Sequence, residues 1–539
     1  MRGLLRVTFV FGCFIGSAAT SVAQLSPITQ PIQVVQVPST QPAPDTGVVP
    51  QPPSPVQLPG ALGPIQPGTQ PGGPTPSGTD ADPSVQFPSS ARQPPPAISL
   101  GQPLSTPFDW SHFRLGGQFR IEADANNFGF HPLTLPAGQS SQAFVSQRYR
   151  LWLTYTPDEH IEGYVQMQIG AINWGTNTDF EKNYAATNPS IVGDRVGIQL
   201  RRAWLAYKDE DIGKVRVGFL DWHDSFNDTL ASSNYDFNIP GIDWVKTVAG
   251  LNNLRLSAAA LLLSDQVYAT SDPAPVAGTR TAGLFAFDAD QPITEKFSVG
   301  GSTYVVYDRS GYSYPTAAPY RYALDSWFGA RAKWANDFIP LSGFVVVNTG
   351  ERADFTPIGF RHTGWATWLE AGAVKIGDAK LSGQILYSSG SSNPGVGHTN
   401  EFRTVAQSYG DNFGSQGYWS YLQVSSPNGP GDVADLGVGA QNRGYGLFTA
   451  QAKLEYPLTR RVTSTSTAGW LQSAATNPLN GSRAMGTEIG EMFTIKLGGG
   501  LTLDTGAAVL FTGDFYRPAP GVAKEDAIYE AFSRLQLEF

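Results

Sequence analysis

The chain has 539 residues, of which only 15% are charged, against roughly 25% in ordinary soluble domains, while 59 Gly, 30 Phe, 21 Tyr and 12 Trp are abundant. Its one cysteine, Cys13, lies in an N-terminal apolar run, which excludes disulfides and thiolate metal sites from the remainder. Formal net charge is −9, and removing Arg2 and Arg6 with that run leaves 34 basic against 45 acidic residues, or −11, which argues against generic nucleic-acid binding.

Residues 1–23 have a short basic start (Arg2, Arg6), an apolar stretch from Val7 to Ile15, and small residues leading to Ser21-Val22-Ala23. This is the signal-peptidase pattern, and it predicts export with cleavage before Gln24. A membrane anchor would need about 20 apolar residues, and this run is roughly half that. Val10-Phe11-Gly12-Cys13 falls too early for a lipoprotein site and places a bulky Phe before the Gly. No later apolar run reaches the roughly 18 residues a spanning helix needs, so a membrane-resident mature chain has to cross as a barrel, which satisfies its backbone polar groups between strands.

Residues 24–107 are dominated by Pro, Gln, Gly, Ser and Thr, with Asp45, Asp80, Asp82 and Arg92 as their only charges. Such a stretch buries too little apolar surface to offset ordering entropy and is expected to be disordered. Gln51-Pro52-Pro53-Ser54-Pro55 and Gln93-Pro94-Pro95-Pro96 favour polyproline II, at about 3.1 Å per residue. Two roles follow from that composition: a solvated periplasmic leader, or a tether to cell wall or a periplasmic partner.

Residues 108–539 read as an all-β, transmembrane antiparallel β-barrel, built of period-2 segments of about 10 to 14 residues separated alternately by tight turns and longer polar loops. In the first segment Phe113, Leu115, Gly117, Phe119, Ile121, Ala123 and Ala125 share one face, and Arg114, Gly116, Gln118, Arg120, Glu122 and Asp124 share the other. The second sets Tyr149, Leu151, Leu153 and Tyr155 against Arg148, Arg150, Trp152 and Thr154. A third, entered through Thr156-Pro157-Asp158-Glu159-His160, sets Ile161, Val165, Met167, Ile169 and Ala171 against Glu162, Gln166 and Gln168. One face of each fits lipid and the other water.

The last segment alternates Tyr529, Ala531, Leu535, Leu537 and Phe539 with Glu530, Arg534, Gln536 and Glu538. Ten steps at about 3.3 Å, tilted about 40°, project to roughly 25 Å, the height of a barrel's apolar band. Leu535, Leu537 and the terminal Phe539 resemble the signal by which barrel-assembly machinery recognises outer-membrane proteins. At roughly 24 residues per strand with its share of loops, the region holds 16 to 18 strands; we expect 18, with 16 as the alternative.

Three stretches resemble the alginate-export family of outer-membrane porins: Leu200-Arg201-Arg202-Ala203-Trp204-Leu205-Ala206-Tyr207 running into Val215-Arg216-Val217-Gly218, Gly486-Thr487-Glu488-Ile489-Gly490, and Ala507 through Phe515. The resemblance implies an 18-stranded barrel with an arginine-lined lumen that passes an anionic solute, in that family a uronate polymer. This chain differs in its long Pro-rich leader and its weakly basic middle strands.

Basic residues are skewed to arginine, 25 against 11 lysines. Arg114, Arg120, Arg148, Arg150, Arg331 and Lys333 hold polar-face positions, where rings of cations would favour anions in a pore. The plainer alternative is that these cations pair with lumen carboxylates such as Glu122, Asp124 and Glu162. Arg201 and Arg202 are adjacent, so both can face inward only if a bulge or strand end intervenes. Asp221-Trp222-His223-Asp224 sets carboxylates beside an imidazole, but neighbours on a strand point opposite ways, so it reads as a turn or strand end. No nucleophile elbow, His-Glu-x-x-His, phosphate loop or haem motif is present, and we expect no catalytic residues, metal or cofactor. The expected setting is the bacterial outer membrane with the Pro-rich segment in the periplasm. A diffusion pore is the leading reading, ahead of a structural or tethering barrel and, more distantly, a barrel-embedded hydrolase.

Overall fold

In the computed structural model the described residues are 110–128, 135–138, 141–174, 198–231, 238–265, 281–309, 320–354, 359–405, 436 and 438–539. The expectations for residues 1–107 lie outside them. The period-2 segments form the strands β1 (Phe113–Asn126), β2 (Gln142–Tyr155), β3 (Ile161–Asn173), β4 (Ile198–Asp209), β5 (Gly213–Asp221), β6 (Asn238–Val248), β7 (Leu254–Asp265), β8 (Thr281–Pro292) and β9 (Phe297–Asp308). They continue as β10 (Tyr320–Trp334), β11 (Leu341–Asp354), β12 (Phe360–Ile376), β13 (Ala379–Ser388), β14 (His398–Thr399), β15 (Leu447–Pro457), β16 (Val462–Ser473), β17 (Ala484–Gly498), β18 (Leu501–Thr512) and β19 (Ala527–Glu538).

Eighteen of these strands pair antiparallel with their neighbours, and β19 closes on β1 through Gln118↔Glu538 and Phe119↔Leu537. The remaining one, β14, has two residues and runs parallel to β12 within the connection from β13 to β15. Closure leaves the ladder without an edge, as a barrel in lipid requires.

Connections alternate as the sequence suggested. At one end, which also holds the start of β1 and the end of β19, they are two to six residues long. Several use one device: a short polar side chain accepts two backbone N–H groups just downstream. Asp158 Oδ1 takes those of His160 and Ile161, both at 2.8 Å, and Asp209 Oδ1 those of Asp211 and Ile212. Thr294 and Thr459 do the same with their hydroxyls. These local bonds replace ladder bonds where the chain reverses. One of the two two-residue turns, Gly499-Gly500, holds φ of 59° and 80°, a region glycine enters without a Cβ penalty.

Outward positions are apolar and exposed: Leu115 is 69% accessible, Leu205 61% and Ile489 55%. Aromatic pairs lie near both strand ends on this face. Phe113 packs tilted against Tyr155 near the turn end, and Trp365 against Tyr387 near the loop end, with ring centroids 4.6 and 4.7 Å apart. An exposed apolar surface of this extent, banded by aromatic rings, is a lipid-facing surface.

The inner face departs from the expected simple contrast of lipid outside and water inside. Its turn-end half is charged, but toward the loop end apolar side chains join the charged ones, with Leu220, Leu284, Val306, Leu386, Leu471, Leu510 and Ile528 buried on the same half as Glu122, Asp124, Arg352 and Glu530. These residues share strand parity with the inward polar ones; they are covered because chain from the loop end folds into the barrel. Phe226 packs edge-on against Tyr304 of β9 and Phe344 of β11. Phe402, Leu436 and Val438, from the connection between β13 and β15, join the same core.

Candidate functional site: the charged lumen

The lumen wall from β19 to β4 is rich in arginine. Arg114 stands exposed at the turn-end rim of β1. Two steps beyond Gln118, Arg120 is 4% exposed and lies 3.4 Å from Glu122 Oε2, also fully buried. Across the ladder Arg120 faces Arg148, so two guanidinium groups stand on neighbouring strands. Arg148 donates to Gln118 at 3.1 Å, and Arg150 donates through Nε to Gln168 Oε1 at 2.7 Å. Arg534 on β19 meets Asp504 on β18 at 2.9 Å.

Gln168 Oε1 also accepts from Arg201, at 2.6 Å. This is possible because β4 carries a bulge: Gln166 pairs with Arg202 and Met167 with Leu200, so Arg201 is the extra residue. Both arginines therefore turn inward, and Arg202 Nε donates to Asn238 at 3.0 Å.

The wall from β5 to β10 mixes the two signs, with Asp221, Asp243, Asp288 and Asp290 beside Arg216, Arg255, Arg331 and Lys333. Arg216 Nε grips Asp243 at 3.0 and 3.1 Å, while its Nη1 donates to Asp221 at 2.5 Å. Arg331 is held by Asp290, at 2.9 Å from Nε and 2.8 Å from Nη2, and lies 3.6 Å from Asp288. Asp288 accepts in turn from the Tyr304 hydroxyl at 2.7 Å. Lys333, two residues further on, is exposed toward the lumen mouth. Of this wall the sequence reading had singled out Arg331 and Lys333 but neither Asp243, Asp288, Asp290 nor Arg255. The signal was available: Asp288 and Asp290 alternate with Phe287 and Ala289 in one period-2 segment.

Asp221-Trp222-His223-Asp224 is a strand end, with β5 stopping at Asp221. Asp224 organises the segment that follows, which lies outside the spanning strands. Its carboxylate accepts the backbone N–H groups of Phe226, Leu230 and Ala231 at 2.6 to 2.7 Å. Burial first, and the charge of Asp228 second, push its pKa up to about 7 against the pull of those three donors. The same segment is tied to the wall where Ser225 N–H donates to the Tyr304 hydroxyl at 2.9 Å.

The connection from β13 to β15 is anchored in a similar way. Arg403 N–H donates to Asn348 Oδ1 at 3.0 Å, and Trp327 Nε1 donates to the Arg403 carbonyl at 2.8 Å. Arg352 and Arg403 flank the Phe360 ring at 5.7 and 5.3 Å, and His362 Nε2 lies 3.0 Å from Asp325. Between these anchored segments and the turn end, a cavity of about 670 Å³ opens on the β5–β10 wall.

Of the expected assembly signal, Leu535 and Leu537 lie half-buried on β19, and Phe539 is exposed. The Phe539 backbone exchanges two hydrogen bonds with Gly117, at 3.0 and 3.1 Å.

No family model matches the sequence, and no curated protein matches it. Solved structures to which the chain is similar are remote. OpdQ of Pseudomonas aeruginosa is 11% identical, with 80% of this chain and 98% of that one covered and a TM-score of 0.44. OccAB4 of Acinetobacter baumannii and a BenF-like porin of Pseudomonas fluorescens Pf-5 are each 11% identical, with 79% and 98% covered and TM-scores of 0.47. At such identities and scores the description of the barrel rests on its own strand ladder, and the alginate-export resemblance remains one of sequence stretches.

Proposed function

We propose that this chain is an outer-membrane porin that lets small or oligomeric hydrophilic solutes diffuse across the membrane, with a bias toward anions. One observation carries the reading: eighteen strands close with large exposed hydrophobics outward and Arg120, Arg148, Arg150, Arg331 and paired carboxylates inward. A lipid-facing exterior around a charged interior is the construction of a water-filled barrel. The short turns, the start of β1 and the end of β19 lie on one side, and the usual orientation of such barrels, with short turns toward the periplasm, supports a periplasmic Pro-rich segment. The resemblance to alginate exporters supports an anionic cargo, with uronate oligomers as a probe beside chloride.

Planar-bilayer recording with a salt gradient tests this. Discrete conductance steps with an anion-side reversal potential are expected, and Arg120→Gln with Arg150→Gln shifts it toward cations. Unchanged selectivity would make those arginines structural partners of Glu122 and Gln168. The apolar packing of Phe226, Phe402 and Leu436 inside the barrel favours a second reading, a non-conducting structural barrel, which a silent bilayer with correctly folded protein would support.

A further inference from the structure

The cavity on the β5–β10 wall carries its charges in an uneven order. Toward the loops it is acidic, with Asp221 and Asp243 sharing Arg216 and with Asp228 also in the lining. At its turn-end mouth stand Arg255 and Lys333, both exposed, and neither has an ion-pair or hydrogen-bond partner among the described residues.

The ladder explains why Arg255 is left over. Its directly opposed residue on β8 is Asp290, about 5 Å away across the strands, which would ordinarily neutralise it. Asp290, Gly300 and Arg331 form one row across β8, β9 and β10. Because position 300 has no side chain, Arg331 reaches over it to take Asp290. A Cβ there would sit 2.4 Å from Asp290 Oδ1 and 2.7 Å from Arg331 Nε. Asp290 stays 34% exposed, with lone pairs still open beside Arg255.

We propose that this cavity binds a small zwitterion whose ammonium and carboxylate are one or two atoms apart. The carboxylate lies between Arg255 and Lys333, and the ammonium meets the exposed oxygens of Asp290. The excess of carboxylates further in disfavours a simple anion, and the two unpaired cations at the mouth disfavour a simple cation. A solute with both charges satisfies each wall, through charge-assisted bonds stronger than neutral ones. The site rests on the pore reading for its access route but not for its chemistry.

Single-channel current through the full chain, with alanine, lactate and alaninamide added in turn at pH 7, separates the charge classes at nearly equal size. Alanine should interrupt the current for longer than either of the others. Arg255→Gln with Lys333→Gln should shorten those events by about tenfold or more, as expected for lost charged contacts, while Arg460→Gln, in the exposed turn after β15, leaves them unchanged. Equal behaviour of alanine and lactate, or alanine events untouched in the double variant, overturns the site. Should the folded barrel not conduct, the pore reading falls by itself. Saturation-transfer NMR of alanine with the detergent-folded protein then decides the site, binding with loss in the double variant supporting it and no transfer overturning it.

Discussion

Asp224 shows how one side chain can hold a segment inside a barrel. Three N–H donors converge on its carboxylate in a fully buried place, so replacing it with Asn, which has a single acceptor oxygen, strands at least one of them at about 1–3 kcal/mol. The expected outcome of Asp224→Asn is an undocked segment and larger, noisier conductance steps. The raised pKa of Asp224 adds a pH dependence whose sign can be worked out. Its docked value, about 7, lies above the ordinary aspartate value of 3.8, so docking is fully favoured below the lower value and weakens as pH rises through the higher one. Conductance should therefore be smaller and steadier at pH 5 than at pH 8. The test is whether Asp224→Asn abolishes the difference. A difference that survives the substitution would mean that Asp224 is not its source. The sequence read this stretch correctly as a strand end, but nothing in its spacing revealed that the carboxylate folds back on its own loop, because that bond depends on the tertiary position of residues 226–231.

At the scale of elements, the strands were legible because lipid on one side and a polar lumen on the other impose a strict period of two. β1 and β2 show it over fourteen residues each. Two features broke that legibility. The bulge at Arg201 inserts a residue into β4, and a period-2 reading can note the conflict with Arg202 but cannot place the extra residue. The inward segments were missed for a related reason: Leu284, Val306 and Leu510 sit on the polar-face parity, and only covering chain explains apolar side chains there. The closing strand supports a prediction at this scale. Phe539 contributes the final two ladder bonds to Gly117, so its deletion removes the last rung joining β19 to β1 as well as the expected assembly signal. Heat-modifiable barrel in the membrane fraction should fall sharply, and normal levels would mean that neither the rung nor the terminal aromatic is needed.

For the whole molecule, the decisive physical claim is that the outer surface faces hydrocarbon. Ile489 tests it, since it projects outward near the middle of β17, is 55% exposed, and pairs in the ladder with Ala468 and Val509. In a protein surrounded by water, exchanging such an exposed residue for arginine changes stability by no more than about 0.5 kcal/mol. In a bilayer the guanidinium must be carried from water into the hydrocarbon, at about 2–4 kcal/mol near the midplane of a barrel and much less toward either interface. Ile489→Arg should therefore lower the stability of the lipid-folded protein by that larger amount. Leu115→Arg, close to the turn-end rim, should cost about 1 kcal/mol or less, because the long side chain can extend to the headgroups. Denaturant titration of both variants in lipid vesicles gives the comparison directly. A gradient between the two positions requires an apolar slab centred on the strands. Equal and small effects at both would mean that water covers the exterior, and the barrel would then need another explanation for its exposed leucines and isoleucines.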